Sequence, residues 1–180
     1  MKVYGVYILN KAGGLLYQRD FDSSLQKLNA NEYLVLASTL HGVHAIASKL
    51  TPNVSSEGEG PPKRNAKLLA TGKSQDSNNN YSGLQSIETD FFNLFVFQTL
   101  TGVKFILVTS PNPVVHNIQP LVSQSVSSKG ELEKQKEEAD QLYRRLYVIY
   151  ADYVMKDPFY TLDMPIKGNL FDQRVCELFK

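Results

Sequence analysis

From Tyr33 to Ser48, sixteen consecutive residues include no Asp, Glu, Lys or Arg. Their apolar positions nevertheless recur with a helical rather than a strand period. Tyr33, Leu36, Leu40, Val43, Ala47 and Leu50 share one face and are expected against a sheet, while Leu34, Val35, Ala45 and Ile46 spread apolar surface around the rest. Asn29 with Glu32 three residues later is a capping-box pattern that starts the helix, and Thr51-Pro52 ends it. A helix on the outside of a small domain needs a wet face, and wet faces are normally charged. This one has none, so either the chain buries it on both sides or a second protein covers what the chain leaves open.

The flanking sequence supplies a sheet. Val3 to Leu9 is a near-continuous apolar run, Asn10-Lys11-Ala12-Gly13-Gly14 carries turn chemistry, and Leu15 to Phe21 resumes as a strand, which together predict a β-hairpin. Asp22 to Leu28 is a short connector to the helix. Three further strands are expected over Leu84–Thr89, Phe91–Leu100 and Val103–Thr109, the last two joined at Thr101-Gly102. Phe91 to Phe97 is apolar on both faces and is expected to be central and covered twice. A long helix is expected from about Gly130 to Lys156, densely charged in its first half. Further along, Ala139, Leu142, Leu146, Ile149 and Tyr153 form a core stripe beside a second stripe of Tyr143, Tyr147, Tyr150 and Val154. The tyrosines suit either the core edge or a contact surface, where tyrosine is enriched. Phe159 to Asn169 reads as extended and Leu170 to Phe179 as a short helix. Residues 53–82, rich in Gly, Ser, Asn and Lys, read as a disordered insert, and 110–129 as a polar loop. With 180 residues, a single α+β domain spanning 1–180 is expected.

Several functional classes are disfavoured. With 19 Lys and Arg against 18 Asp and Glu, the net charge of +1 provides no field for nucleic acid. The single cysteine, Cys176, permits no internal disulfide or cysteine metal cage and suits a reducing compartment. No signal peptide, no apolar run of the roughly 20 residues needed to span a bilayer, and no lipidation motif is expected from this sequence. Thr71-Gly72-Lys73-Ser74 lacks the earlier glycine of a phosphate loop, since position 67 is Lys. His41 and His44 have a spacing zinc can use but lack a third ligand nearby, and Ser38 near His41 lacks an orienting carboxylate. No catalytic, cofactor or metal residue is expected.

Four ordered blocks carry a resemblance. Asn10 to Gln18, Leu36 to Ser48, Gln98 to Phe105, and Tyr150 to Tyr160 continuing through Met164-Pro165-Ile166 to Leu170-Phe171-Asp172 are similar to the synbindin family. These are small longin-like subunits of the TRAPP vesicle-tethering complexes. Animal members carry a PDZ-like insertion between the second strand and first helix, where this chain has only Asp22 to Leu28. The polar stretch 53–82 resembles the insert of fungal members, which implies a chain of the fungal type.

The resemblance implies a five-stranded antiparallel sheet with one helix on one face and the C-terminal helices on the other. It also implies a cytoplasmic subunit, peripheral at cis-Golgi and ER–Golgi membranes through its complex, that pairs with a second longin-like subunit. The complex is expected to act as a guanine nucleotide exchange factor for a Rab-family GTPase in ER-to-Golgi transport, this chain supplying surface rather than chemistry. Helical geometry then assigns Leu34, Val35, Ser38, Thr39, Gly42 and Ile46 to the partner-facing surface, with Tyr143, Tyr147, Tyr150 and the segment Pro158 to Ile166 as further contacts. The alternative is a longin regulatory domain that binds a SNARE helix, which would be expected to continue into a coiled coil and membrane anchor.

Overall fold

The computed structural model describes residues 1–22, 27–50, 83–111 and 127–179, with the backbone alone over 127–132. The 53–82 insert and most of the 110–129 loop lie outside these residues. The elements are β1 (Val3–Leu9), β2 (Leu15–Asp20), α1 (Ala30–Lys49), β3 (Ser86–Glu88), β4 (Asn93–Gln98), β5 (Lys104–Thr109), α2 (Ser127–Tyr150), a π-helical turn (Ala151–Met155) and α3 (Asn169–Phe179). The strands form one sheet in the order β2-β1-β5-β4-β3, and every neighbouring pair is antiparallel.

The hairpin turn forms as its residues dictate. Gly13 takes a φ of +90°, the Asn10 amide donates to the Gly14 carbonyl at 2.8 Å, and the Gly14 amide donates to Asn10 Oδ1 at 2.7 Å. The expected capping box is present at the start of α1, where the Glu32 amide donates to Asn29 Oδ1 (2.9 Å) and the Asn29 amide to Glu32 Oε2 (2.7 Å). Such a cap contributes about 1 kcal/mol.

Each face of the sheet has its own core. Tyr7, Leu9, Leu94, Val96, Ile106 and Val108 meet Tyr33, Ala37 and Leu40 of α1. Val6, Ile8, Leu16, Tyr17, Phe95, Phe97, Phe105 and Leu107 meet Ala139, Tyr143, Leu146, Tyr150 and Val154 from α2 and its π turn, with Phe171 and Val175 of α3. This is the α+β, longin-like arrangement expected. A register shift between Val3 and Gly5 breaks the alternation, so that odd-numbered Val3 shares the face of Val6 and Ile8.

The structure corrects the sequence reading in several places. The all-buried strand at the centre is β5, whereas β4, though covered on both faces, stands next to the three-residue edge strand β3. Phe91 lies outside β4 and is exposed, because the chain bends at Asp90 and Phe91 before pairing begins. The long helix starts at Ser127, not Gly130, and its end widens: the Lys156 amide reaches back to the Ala151 carbonyl at 3.1 Å. Val43, expected on the sheet, is exposed together with Leu50, and His44 takes the sheet-facing position after Leu40. Tyr143 and Tyr150, assigned to a contact surface, are only 6% and 4% exposed and belong to the core. The Tyr143 ring stacks on Phe97 with centroids 4.7 Å apart, and Tyr150 meets Phe105 edge-on at 5.4 Å.

Candidate protein interface

The side of α1 turned away from the sheet is the feature that calls for a ligand. Tyr33, Ala37, Leu40 and His44 recur by three and four residues and point into the core. Opposite them stand Leu34, Val35, Ser38, Thr39 and Ile46, all exposed, with Val35 at 63% and Ile46 at 62%. Val43 belongs to this surface too. No charge interrupts the surface from Tyr33 to Ser48. The Ser38 hydroxyl turns back on the helix: Ser38 Oγ donates to the Leu34 carbonyl at 2.9 Å, with the Val35 carbonyl at 3.0 Å. Gly42 sits half-buried amid these residues, and a Cβ added there meets nothing within 4 Å. The chain's own packing does not require a glycine there, and a helical glycine costs roughly 0.5–1 kcal/mol relative to alanine. A flat spot on an apolar helix face is what close approach by another backbone needs.

The structure therefore brings together Leu34, Val35, Ser38, Thr39, Gly42 and Ile46 as one surface and separates them from the tyrosines. Of the latter only Tyr147 remains accessible, on the opposite side of the sheet beside Phe105. The segment after the π turn exposes Phe159, Leu162 and Met164, while Tyr160 Oη donates to the Met164 carbonyl and the Ile166 amide to the Leu16 carbonyl, both at 2.8 Å. These apolar side chains are held outward by hydrogen bonds that fix the backbone beneath them.

At its C-terminal half α1 covers a polar end of the core. The sheet rows Leu94-Val96 and Val108-Ile106 finish in Gln98 and Lys104, and His44 packs over them. His44 Nε2 lies 2.6 Å from Gln98 Oε1 and Nδ1 lies 3.2 Å from the Leu84 carbonyl. Gly83, at a φ of +103°, is the close neighbour, since a Cβ there would sit 2.7 Å from the ring. These contacts occupy both nitrogens with protein partners, and among the described residues no group of three or more His, Cys, Asp or Glu could hold a metal. Cys176 is half-buried.

The buried tyrosines give the fold a defined alkaline limit. Burial first, then neighbouring Tyr147 and Asp140, pushes Tyr143 up to about 12. Burial, then Tyr160 and Asp163, does the same for Tyr150, also to about 12. Burial and hydrogen bonds to Asp20 and Asp172 raise Tyr7 and Tyr17 as well. A folded-state value above the unfolded one means stability that is full below about pH 10 and is lost as pH rises through the folded value. Between about pH 10 and 12, each of these tyrosines is expected to remove roughly 1.4 kcal/mol per pH unit. Urea unfolding across that window should show the decline. A flat stability profile there would mean that the hydroxyls are not held in the core as described.

The Sybindin-like family model matches residues 3–126 and 131–180. Trafficking protein particle complex subunit 4 of Dictyostelium discoideum is 35% identical over 178 residues, covering 99% of this chain and 96% of that protein. The protein of the same name from Bos taurus is 33% identical over 149 residues, covering 83% of this chain but 46% of its own length. Trafficking protein particle complex subunit 1 of Dictyostelium discoideum is 22% identical over 170 residues, covering 94% of this chain and 88% of that protein.

Proposed function

The chain belongs to the Sybindin-like family, and on that premise we propose that it is a non-catalytic subunit of a trafficking protein particle complex that promotes guanine nucleotide exchange on a Rab-family GTPase in ER-to-Golgi transport. The observation that carries this reading is the uncharged outer face of α1, from Leu34 to Ile46. Left in water, each large apolar side chain there forgoes roughly 1.5–3 kcal/mol. A permanent partner recovers that energy. The similarity of the chain to both subunit 4 and subunit 1 of one organism favours a pair of related longin-like subunits, each covering the other.

Exchange of this kind needs no acid, base or metal in the chain. A surface that binds the nucleotide-free GTPase more tightly than the nucleotide-bound form shifts the equilibrium toward release. The chain then works as part of a platform at cis-Golgi and ER–Golgi membranes, reaching the membrane through its complex. The deciding experiment follows release of fluorescent GDP from the GTPase, using complex assembled with and without this chain. Omission is expected to slow release at least about tenfold, equivalent to about 1.4 kcal/mol of lost differential binding. Equal rates from the two preparations would overturn the exchange role. A chain that purifies as a stable monomer and does not associate with its longin-like partner would overturn the subunit role.

A further inference from the structure

Beside the outer face of α1 lies a cavity of about 330 Å³ that this function does not by itself explain. It opens where three segments converge: the β1–β2 turn at Lys11, the β4–β5 turn at Thr101 and Gly102, and the second half of α1 at His41, Ala45 and Ser48. Its floor is the polar end of the sheet, Gln98 and Lys104. Lys104 is the unusual member. It is 4% exposed, and among the described residues its Nζ donates only to the Gly102 carbonyl, at 3.3 Å, and no carboxylate lies within ion-pair distance. An ammonium in that position is shielded from bulk solvent on every side but the cavity and has one neutral acceptor, an arrangement that an anion entering the cavity would stabilise.

The neighbours add donors rather than acids. Lys11 borders the cavity, its stem against Gly102, where a φ of +88° and a 3.0 Å approach to Lys11 Cγ leave no room for a Cβ. His41 packs under Gly13, whose added Cβ would lie 2.7 Å from the ring. His41 Nδ1 is buried with no hydrogen-bond partner among the described residues. Burial, and then Lys104 and His44, hold the His41 imidazole below its usual range; burial lowers the Lys104 ammonium too, but from a much higher ordinary value, so the two lysines are the cations here. The surroundings argue against a phosphate-rich surface, because the chain's net charge of +1 supplies no wide basic field for a membrane or nucleic acid. They favour a single carboxylate delivered by something already seated nearby. Ala45 and His41 border the apolar outer face of α1, and Leu100, almost wholly exposed, forms the other rim.

We infer that this cavity is a socket for the carboxylate of an Asp or Glu side chain on the protein that covers α1, received by Lys104 with Lys11 at the mouth. The inference rests on the reading of α1 as a partner-covered helix and adds the charge that fixes the partner's register. A charged hydrogen bond to a desolvated ammonium specifies position where apolar contact alone lets surfaces slide.

Two measurements test it. In the full-length chain with ¹³C-labelled histidine, acetate added at constant ionic strength should shift the His41 resonance to saturation. The shift should be absent in Lys104→Met and in Lys104→Gln. An equal response to chloride, tighter saturation by inorganic phosphate, or a response retained in both variants would overturn the carboxylate socket. In the assembled pair, Lys104→Met should weaken association roughly tenfold or more, the scale of one lost charged hydrogen bond. The same substitution should raise the thermal midpoint of the free chain, because it removes a buried charge that has no anion. Lys104→Gln provides the same comparison if the methionine repacks the core. Val35→Asp separates the two ideas: loss of pairing with Val35→Asp but not with either Lys104 variant sinks the socket and leaves the helix surface standing. Pairing untouched by all three sinks both.

Discussion

Replacing Val35 and Ile46 together with aspartate is expected to abolish association with the proposed longin-like partner while leaving the chain folded. Both side chains already stand more than half in water, at 63% and 62% exposure, so the free chain loses little. Surface substitutions of this kind fall within about 0.5 kcal/mol, plus a comparable helix-propensity cost for each aspartate. In the complex the balance reverses. Burying two such aliphatic side chains contributes roughly 3–6 kcal/mol, and a buried unpaired carboxylate in their place adds a further penalty. Affinity should fall at least a hundredfold, read by co-purification and by isothermal titration, with circular dichroism reporting an unchanged helix. Retained affinity would show that the partner docks elsewhere, and the outward-held Phe159, Leu162 and Met164 would be the next surface to test.

Phe105→Ala is expected to be the most damaging single truncation within the fold. Phe105 lies on the central strand, is fully buried, and receives the rings of Tyr143, Tyr147 and Tyr150 at centroid distances of 5.5, 6.3 and 5.4 Å. Removing it empties the meeting point of sheet and α2, where neither a strand nor a stacked tyrosine can move inward without breaking other contacts. A loss of about 3–5 kcal/mol is expected, a large share of the roughly 5–15 kcal/mol that holds a domain of this size. Urea unfolding followed by tyrosine fluorescence measures it directly, since the chain has no tryptophan. Tyr147→Ala, half-exposed on the same cluster, should cost clearly less. A Phe105→Ala cost no greater than that of Tyr147→Ala would mean that the aromatic cluster is not the keystone of this face.

The hairpin, the capped helix and the two-sided sheet were legible because each rests on local chemistry: turn glycines, the Asn29–Glu32 pair, and strand runs apolar on both faces. What was not legible depended on neighbours distant in sequence. Val43 and His44 are adjacent on α1, and apolarity alone favours Val43 for the sheet. The sheet, however, ends there in Gln98 and Lys104, so the polar ring fits and the valine turns out. On α2 two stripes lie side by side, and the flat Phe97 surface selects Tyr143, which period counting could not see. The centre of the sheet was misplaced for a related reason. β5 begins with a lysine that reads as polar, although that lysine is buried. The exposed, uncharged side of α1 was legible from what it lacks, because a missing charged face shows in sequence as plainly as a present one.

The strand order also sets a timetable for synthesis. β1 must pair with β5, and partners such as Leu9 and Lys104 stand about 95 residues apart. At about 5–20 residues per second, a ribosome needs roughly 5–20 s to deliver the second strand after the first. Until then β1 lacks its partner on one edge, and α1, once made, has only the hairpin residues Tyr7 and Leu9 beneath its inner face. The newborn first half therefore shows more apolar surface than the finished fold does, until β4 and β5 complete the sheet.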